Sequence, residues 1–365
     1  MLGKRDTRRP ARLRCHLLLG GAFLLLLASS ALSCPARCEC SAQTKSVSCH
    51  RKRLPSIPEG VPIETRALDL SKNKLRLVTA YNFSSFLQLE DLDLSDNLIS
   101  VVEPGCFHSN LALRSLNLRS NQLMLVAKGV LTGLTNLTHL DLSHNRLLVF
   151  ISQRAFTGLL GIQSLTLERS NLTVVPTDAL SHLHNLIELH MRFLSVSFLK
   201  PFSFKRLTRL RHLEMDFWPL LETLPPLSLH GLNLTTLLCL GGNPLVCDCR
   251  LLWLLSSHRP ASLQILDIQP ECSAPQHLLG KSLRDLKEPL VSRYMTCTKP
   301  RIGPNATQLL MADEGQPARL SCTVEGAPRP SVVWITPHRR YLNVGVQSVF
   351  FPFGVFCTNI NVTVD

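Results

Sequence analysis

The sequence predicts an α/β solenoid, a right-handed stack of short parallel strands returned by loops, and three observations carry that reading. Strand leucines recur at Leu68, Leu92, Leu116, Leu140, Leu165, Leu189 and Leu213, at intervals of 24, 24, 24, 25, 24 and 24 residues. An apolar residue follows two positions later (Leu70, Leu94, Leu118, Leu142, Leu167, Met191, Met215), and a large one closes each turn (Phe83, Phe107, Leu131, Phe156, Leu180, Phe204, Leu229). Beyond the second leucine, Asn73, Asn97, Asn121 and Asn145 hold a fixed place in the first four turns. A period in this range is the grammar of leucine-rich repeats, which stack into a horseshoe with a parallel β-sheet on the concave face.

One such turn cannot bury its own leucines, so it stacks on neighbours and stability becomes a sum over repeat contacts. Alternation in the first strand puts Leu68 and Leu70 inward and Ala67, Asp69 and Ser71 outward. Each asparagine can bond backbone groups of the adjacent loop, a ladder whose bonds contribute about 1 kcal/mol each, net. The equivalent later positions are Ser170, Leu194 and Trp218. Leucine and tryptophan cannot accept those bonds, which predicts local irregularity or water there.

Residues 1–33 read as a signal peptide: basic residues, an apolar run from Leu17 to Ala28, and a small-residue site at Ala31-Leu32-Ser33. No other stretch reaches membrane-spanning length. The chain carries 13 cysteines, which points to an oxidising compartment. Its formal charge is +13, of which the leader supplies +5 and leaves +8. A secreted chain meets no nucleic acid, so anionic glycans or acidic protein surfaces are the expected partners.

Residues 34–64 form the N-terminal cap, with Cys34, Cys38, Cys40 and Cys49 spaced C-x3-C-x-C-x8-C. Zinc is the rival reading, but behind a signal peptide disulfides are expected, and spacing leaves three pairings open. The basic run His50-Arg51-Lys52-Arg53 reads as a solvated cap edge, with partner contact as the alternative. The repeats, about seven to eight, occupy residues 65–243. Their outward strand positions are polar and mixed in sign, as suits recognition by charge complementarity. Asp93, Arg119, Asp141, Glu168, Glu188, Arg192 and Glu214 are the candidate partner-binding residues on this face. No nucleophile and base recur at fixed spacing, so no enzyme and no cofactor is expected.

His182, His184 and His190 imitate a zinc cluster, but repeat position puts the first two in a connecting segment and the third on the sheet. The basic cluster Lys205, Arg206, Arg209 and Arg211 is either ordinary charged surface or a sulfated-glycan site. Six glycosylation sequons stand at Asn82, Asn136, Asn171, Asn233, Asn305 and Asn361, with Asn171 expected to be partly shielded. After Gly231 two registers compete: Leu234 with Leu237, or Leu238, Leu240 and Asn243.

Residues 244–299 are the C-terminal cap, in which Cys247, Cys249, Cys272 and Cys297 follow C-x-C-x22-C-x24-C. A short helix with Leu251, Leu252 and Trp253 is expected to cover the last turn. Residues 300–340 read as the start of an all-β immunoglobulin domain, with Trp334 placed after Cys322 as the core tryptophan of such a domain is. Residues 341–365 read as an altered or truncated tail. Cys106, Cys239 and Cys357 have no assigned role.

With these motifs in hand, residues 34–340 resemble the LINGO family, the leucine-rich-repeat and Ig-containing Nogo-receptor-interacting proteins. Carrying the resemblance are Cys34-Pro-Ala-Arg-Cys-Glu-Cys-Ser-Ala-Gln, Cys49-His-Arg-Lys-Arg53, Ile57-Pro-Glu-Gly60, Val102-Glu-Pro-Gly105, Trp218-Pro-Leu and Cys247-Asp-Cys-Arg-Leu-Leu-Trp253. The family pattern implies the pairs Cys34–Cys40, Cys38–Cys49, Cys247–Cys272 and Cys249–Cys297. It also implies a neural co-receptor at the cell surface that restrains axon growth and myelination in Nogo-receptor-type complexes and self-associates. The array is shorter than the family's, as though repeats were skipped near Leu148 and Thr236–Leu240. With no spanning segment in the chain, the alternative is a secreted binding or matrix protein, or a soluble decoy.

Overall fold

The computed structural model describes residues 34–232, 236–255, 264–265, 270–302, 324–328, 334–335 and 341–342. Its centre is an 11-stranded sheet. An antiparallel hairpin, β1 (Glu39–Ser41) and β2 (Ser46–Ser48), opens the sheet. Parallel to β2 run β3 (Ala67–Asp69), β4 (Asp91–Asp93), β5 (Ser115–Asn117), β6 (His139–Asp141) and β7 (Ser164–Thr166). The stack continues through β8 (Glu188–His190), β9 (His212–Glu214), β10 (Leu237–Cys239) and β11 (Gln264–Ile265). Register follows the leucines: Leu68 opposes Leu92, Leu92 opposes Leu116, and so on to Leu213 opposite Leu238. The last pairing settles the competing registers after Gly231 in favour of Leu238, which is fully buried while Leu237 is not.

The core is the interior of this coil. Both strand leucines of each turn are buried, as are Phe83, Phe107, Phe156 and Phe204 at the far side. Phe83 and Phe107 stack with centroids 5.8 Å apart, tying one turn to the next. The one longer turn takes up its extra residue at a single point. Asn121 and Asn145 are 24 apart, whereas the buried Leu123 and Leu148 are 25 apart, so the insertion lies at the exposed Arg146-Leu147. The strands on either side keep register because the extra residue is looped into solvent.

The asparagine ladder forms as the sequence implies. Asn97 accepts from the Leu75 N–H (3.1 Å) and donates to the carbonyls of Leu70 and Leu94 (both 3.0 Å). Asn73, Asn121, Asn145 and Asn243 repeat the arrangement. Beyond the later rungs the short strand pairs of the earlier turns, Leu77–Val78 with Val101–Val102 and Leu125–Val126 with Phe150–Ile151, have no counterpart among the described residues, in line with the expected irregularity, yet the main-sheet strands stay in register. Trp218 explains part of this. Its indole N–H donates to the Met191 carbonyl at 2.5 Å, the bond an asparagine would supply, while the ring is fully buried. Ser170 donates to the Leu167 carbonyl at 2.9 Å, and Leu194 simply joins the core.

Both ends are closed by disulfides: Cys34–Cys40 and Cys38–Cys49 at the first turn, Cys247–Cys272 and Cys249–Cys297 at the last. The covering helix of the C-terminal cap is a 3-10 helix, Cys249–Leu254, capped by Asp248, whose side chain accepts from the Arg250 N–H. Leu251 and Leu254 are its buried residues, and the Trp253 indole donates to the Leu224 carbonyl at 2.9 Å. Beyond the cap the described residues make two antiparallel pairs, Thr298–Ile302 with Val324–Ala327 and Trp334–Ile335 with Tyr341–Leu342. Cys322, Cys357 and most of the expected immunoglobulin strands lie outside the described residues. No helix among the described residues is long and apolar enough to cross a membrane.

Candidate functional site

The outward side chains of β3 to β10 form the face on which recognition would occur, and its two halves are built differently. In the first half the polar residues ending each strand serve their own backbone. Asp69, Asp93, Asn117 and Asp141 each accept, through Oδ1, the N–H two residues on, at 2.8–3.0 Å. Such a side chain shapes the bend that follows the strand. Asp93 and Asp141 are thus partly committed to folding. Arg119, by contrast, is exposed and reaches sideways, its Nη2 standing 3.1 Å from His144 Nε2.

That contact makes His144 a base the fold prefers neutral. Burial and the nearby charges of Arg119, Arg169 and Arg146 lower its pKa from the ordinary 6.5, against a smaller opposing pull from Asp141. A depressed imidazole contributes stability that is fully present above its unfolded value and is lost as pH falls through the folded one. The NMR titration midpoint of His144 is therefore expected below 6.5. Arg119→Ala should raise that midpoint; an unchanged midpoint would contradict the contact.

In the second half the side chains bond one another across strands. His190 of β8 lies beside Glu214 of β9, and Glu188 beside His212. Glu214 accepts from both imidazoles, His190 Nδ1 at 2.9 Å and His212 Nε2 at 2.8 Å. Glu188 stands 3.7 Å from His190 Nε2. Burial alone would push the Glu214 carboxyl up, but hydrogen bonds from His190 and His212, with their charge, outweigh it and hold it below the usual range. Burial raises Glu168, with Arg192 opposing and Glu214 adding to the rise. Burial also raises Asp216, against the Gly241 N–H and Arg192. Arg192 Nε is buried without a hydrogen-bond partner, 3.9 Å from Asp216. The seven candidate residues therefore divide: Glu168, Glu188, Arg192 and Glu214 belong to one connected cluster, whereas Asp93, Arg119 and Asp141 stand apart from it.

Sequence reasoning missed the neighbouring column. Phe193 and Phe217, half-exposed, stack with centroids 4.9 Å apart and planes within 6°. The Arg169 guanidinium carbon lies 3.9 Å over the Phe193 ring. All three occupy the left-handed position just before each ladder residue, with φ of 53°, 58° and 57°. Gly242 continues that column at φ 69°, and a Cβ there would collide with the Phe217 ring. The signal was available, since Phe193 and Phe217 are one repeat apart and in phase with the leucines.

His182 and His184 lie on the connecting loop, so His190 meets His212 instead of them. The basic run at the first cap is partly tied down, His50 bonding Ser71 at 2.7 Å and Lys52 pairing with Glu39 at 3.2 Å, while Arg51 and Arg53 are exposed. Lys205, Arg206, Arg209 and Arg211 are exposed, Arg209 donating to Asn185 at 2.8 Å. Among the sequons, Asn136 and Asn171 are exposed and Asn82 is half-buried; the shielding expected at Asn171 is not found, while Asn233, Asn305 and Asn361 lie outside the described residues. Cys106 is buried, which pushes its thiol up to about 12, and Cys239 sits on the outward face of β10.

In-register strands, an asparagine ladder and disulfide caps at both ends define a leucine-rich-repeat protein. The family model for leucine rich repeat matches residues 63–123, 112–172, 135–193 and 161–220. The solved structure of human 5T4 (Wnt-activated inhibitory factor 1, trophoblast glycoprotein) shares this fold, with a TM-score of 0.56 and 23% identity over 71% of this chain and 98% of that one. Leucine-rich repeat and immunoglobulin-like domain-containing nogo receptor-interacting protein 2 of Mus musculus and of Homo sapiens is 39% identical over 442 residues, covering 89% of this chain and 73% of the relative. Protein 1 of the same name from Xenopus tropicalis is 35% identical, covering 87% and 72%. The chain belongs to this nogo receptor-interacting family. The alignment, at 442 residues, is longer than the chain's 365 residues, so whole stretches of the relative face gaps. Missing turns of the repeat would leave gaps of that kind.

Proposed function

We propose that this extracellular repeat protein acts as a neural co-receptor ectodomain, restraining axon growth and myelination through contacts of its concave face in Nogo-receptor-type complexes. The supporting observation is the Arg169–Phe193–Phe217 column beside the Glu188–Glu214 cluster. Interfaces draw most of their energy from aromatic and arginine anchors ringed by polar groups, and this part of the sheet offers both. Family membership supports the choice of partner. Self-association, also implied by the family, has an apolar stripe to use: Leu77, Val101, Leu125, Phe150, Val174 and Phe198 are all exposed, one per turn, outside the main sheet. The exposed basic cluster at Lys205–Arg211 is the place for an anionic glycan.

The test is binding of the secreted chain to an immobilised Nogo-receptor ectodomain. Phe193→Ala and Phe217→Ala should each weaken it about 30-fold, the effect of losing one anchor of about 2 kcal/mol. Glu188→Lys, at an exposed edge, should alter the association rate and its salt dependence. Unchanged binding in all three variants would remove the concave face from the interface.

A further inference from the structure

We propose that His190, His212 and Glu214 form a zinc site on the concave face, at the junction of β8 and β9. Each of the three side chains offers one ligand atom, and those atoms all lie within 4.8 Å of one another. Two imidazole nitrogens and one carboxylate oxygen are a set zinc takes readily, at about 2.0–2.2 Å from the ion. Atoms so placed around a tetrahedral ion stand about 3.3 Å apart. Glu214 now holds the two rings through its two oxygens, Oε2 to His190 at 2.9 Å and Oε1 to His212 at 2.8 Å, so admitting the ion would lengthen these contacts to about 3.3 Å.

Three features separate this cluster from the ordinary polar face around it. Asp93 and Asp141, at the strand position that His190 and Glu214 occupy in later turns, are bound to their own backbone, whereas His190 and Glu214 bond across the strands. The ligands are partly shielded yet open on one side, with side-chain exposures of 23%, 28% and 17%. That geometry leaves a fourth position to water, as in zinc sites with three protein ligands. Glu188 stands 3.7 Å from the far nitrogen of His190. It takes the place of the outer carboxylate that commonly orients a metal-binding imidazole. One carboxylate is too little oxygen for calcium or magnesium, so selectivity should favour zinc and its first-row neighbours.

The experiment is titration calorimetry of the secreted, untagged full chain with zinc chloride at neutral pH, with magnesium chloride as the comparison. One equivalent of zinc should bind and magnesium should not. Separate His212→Gln and Glu214→Gln variants should weaken zinc at least about tenfold, as loss of a metal-site group does. His182→Gln and His184→Gln should leave it unchanged. Zinc X-ray absorption on the unaltered chain gives a reading independent of variant folding, and should show two imidazole nitrogens and oxygen neighbours. No binding, binding indifferent to both substitutions, or a sulfur neighbour lost in Cys239→Ser would overturn the assignment.

Discussion

Trp218→Ala is expected to lower the unfolding free energy by about 4 kcal/mol, the range for deleting a large ring from a packed core. The side chain is fully buried, and its N–H satisfies the Met191 carbonyl in the place of a ladder asparagine. These two contributions can be separated. Trp218→Phe keeps most of the apolar contact but leaves that carbonyl without a donor, at a cost of about 1–3 kcal/mol. Trp218→Leu also leaves the Met191 carbonyl without a donor and fills more of the space than alanine but less than phenylalanine, so it should fall between the other two. Urea unfolding followed by far-ultraviolet circular dichroism would rank them. A loss in Trp218→Phe as large as in Trp218→Ala would mean that the hydrogen bond dominates; no loss in either would remove the wedge role altogether.

The same residue shows where sequence reasoning stops. The repeat period is visible because every turn poses the same burial problem, and Leu68 to Leu213 state the answer seven times. Register and the ladder of the first four turns follow from that repetition, whereas the caps are legible from cysteine spacing and their pairing from the family resemblance. Trp218 breaks the pattern in identity while keeping its function, and no rule about asparagine anticipates an indole donor aimed at the same carbonyl. The insertion at Arg146-Leu147 is similar: the longer interval is plain in the sequence, but only burial on either side locates it.

The candidate site divides along the same line. Outward positions can be read from alternation, which identifies Glu188, Arg192 and Glu214 one by one. Their grouping needs the sideways register, which brings His190 against Glu214 from the next turn of the coil. A search for histidines near one another in sequence instead selects His182 and His184, which the loop carries away from the sheet. Phe193 and Phe217 escape such a search because they sit just beyond the strands, at the bend where φ turns positive. The useful rule is physical: in a parallel stack, neighbours are one period apart, and clusters should be sought at that spacing.

The second large effect is expected at the first cap. Cys38→Ser with Cys49→Ser should cost about 4 kcal/mol, whereas Cys34→Ser with Cys40→Ser should cost about 2 kcal/mol. The two bridges span sequence separations of 11 and 6. Loops of such similar size differ little in closure entropy, which alone would make the bridges nearly equal. Burial makes the difference. Cys49 is fully buried, its N–H bonds the Asp69 carbonyl at 2.7 Å, and its own carbonyl receives the Asn73 side chain at 2.9 Å. A serine hydroxyl there would have to find a partner in an apolar site, while Cys34 and Cys40 are exposed. Because each turn leans mainly on its neighbours, the damage should begin at one end. Hydrogen exchange should lose protection first in β2 and β3, while β8 and β9 stay protected. Equal losses from the two double variants, or uniform deprotection along the sheet, would show that the cap stabilises the chain as a whole and not the turn it covers.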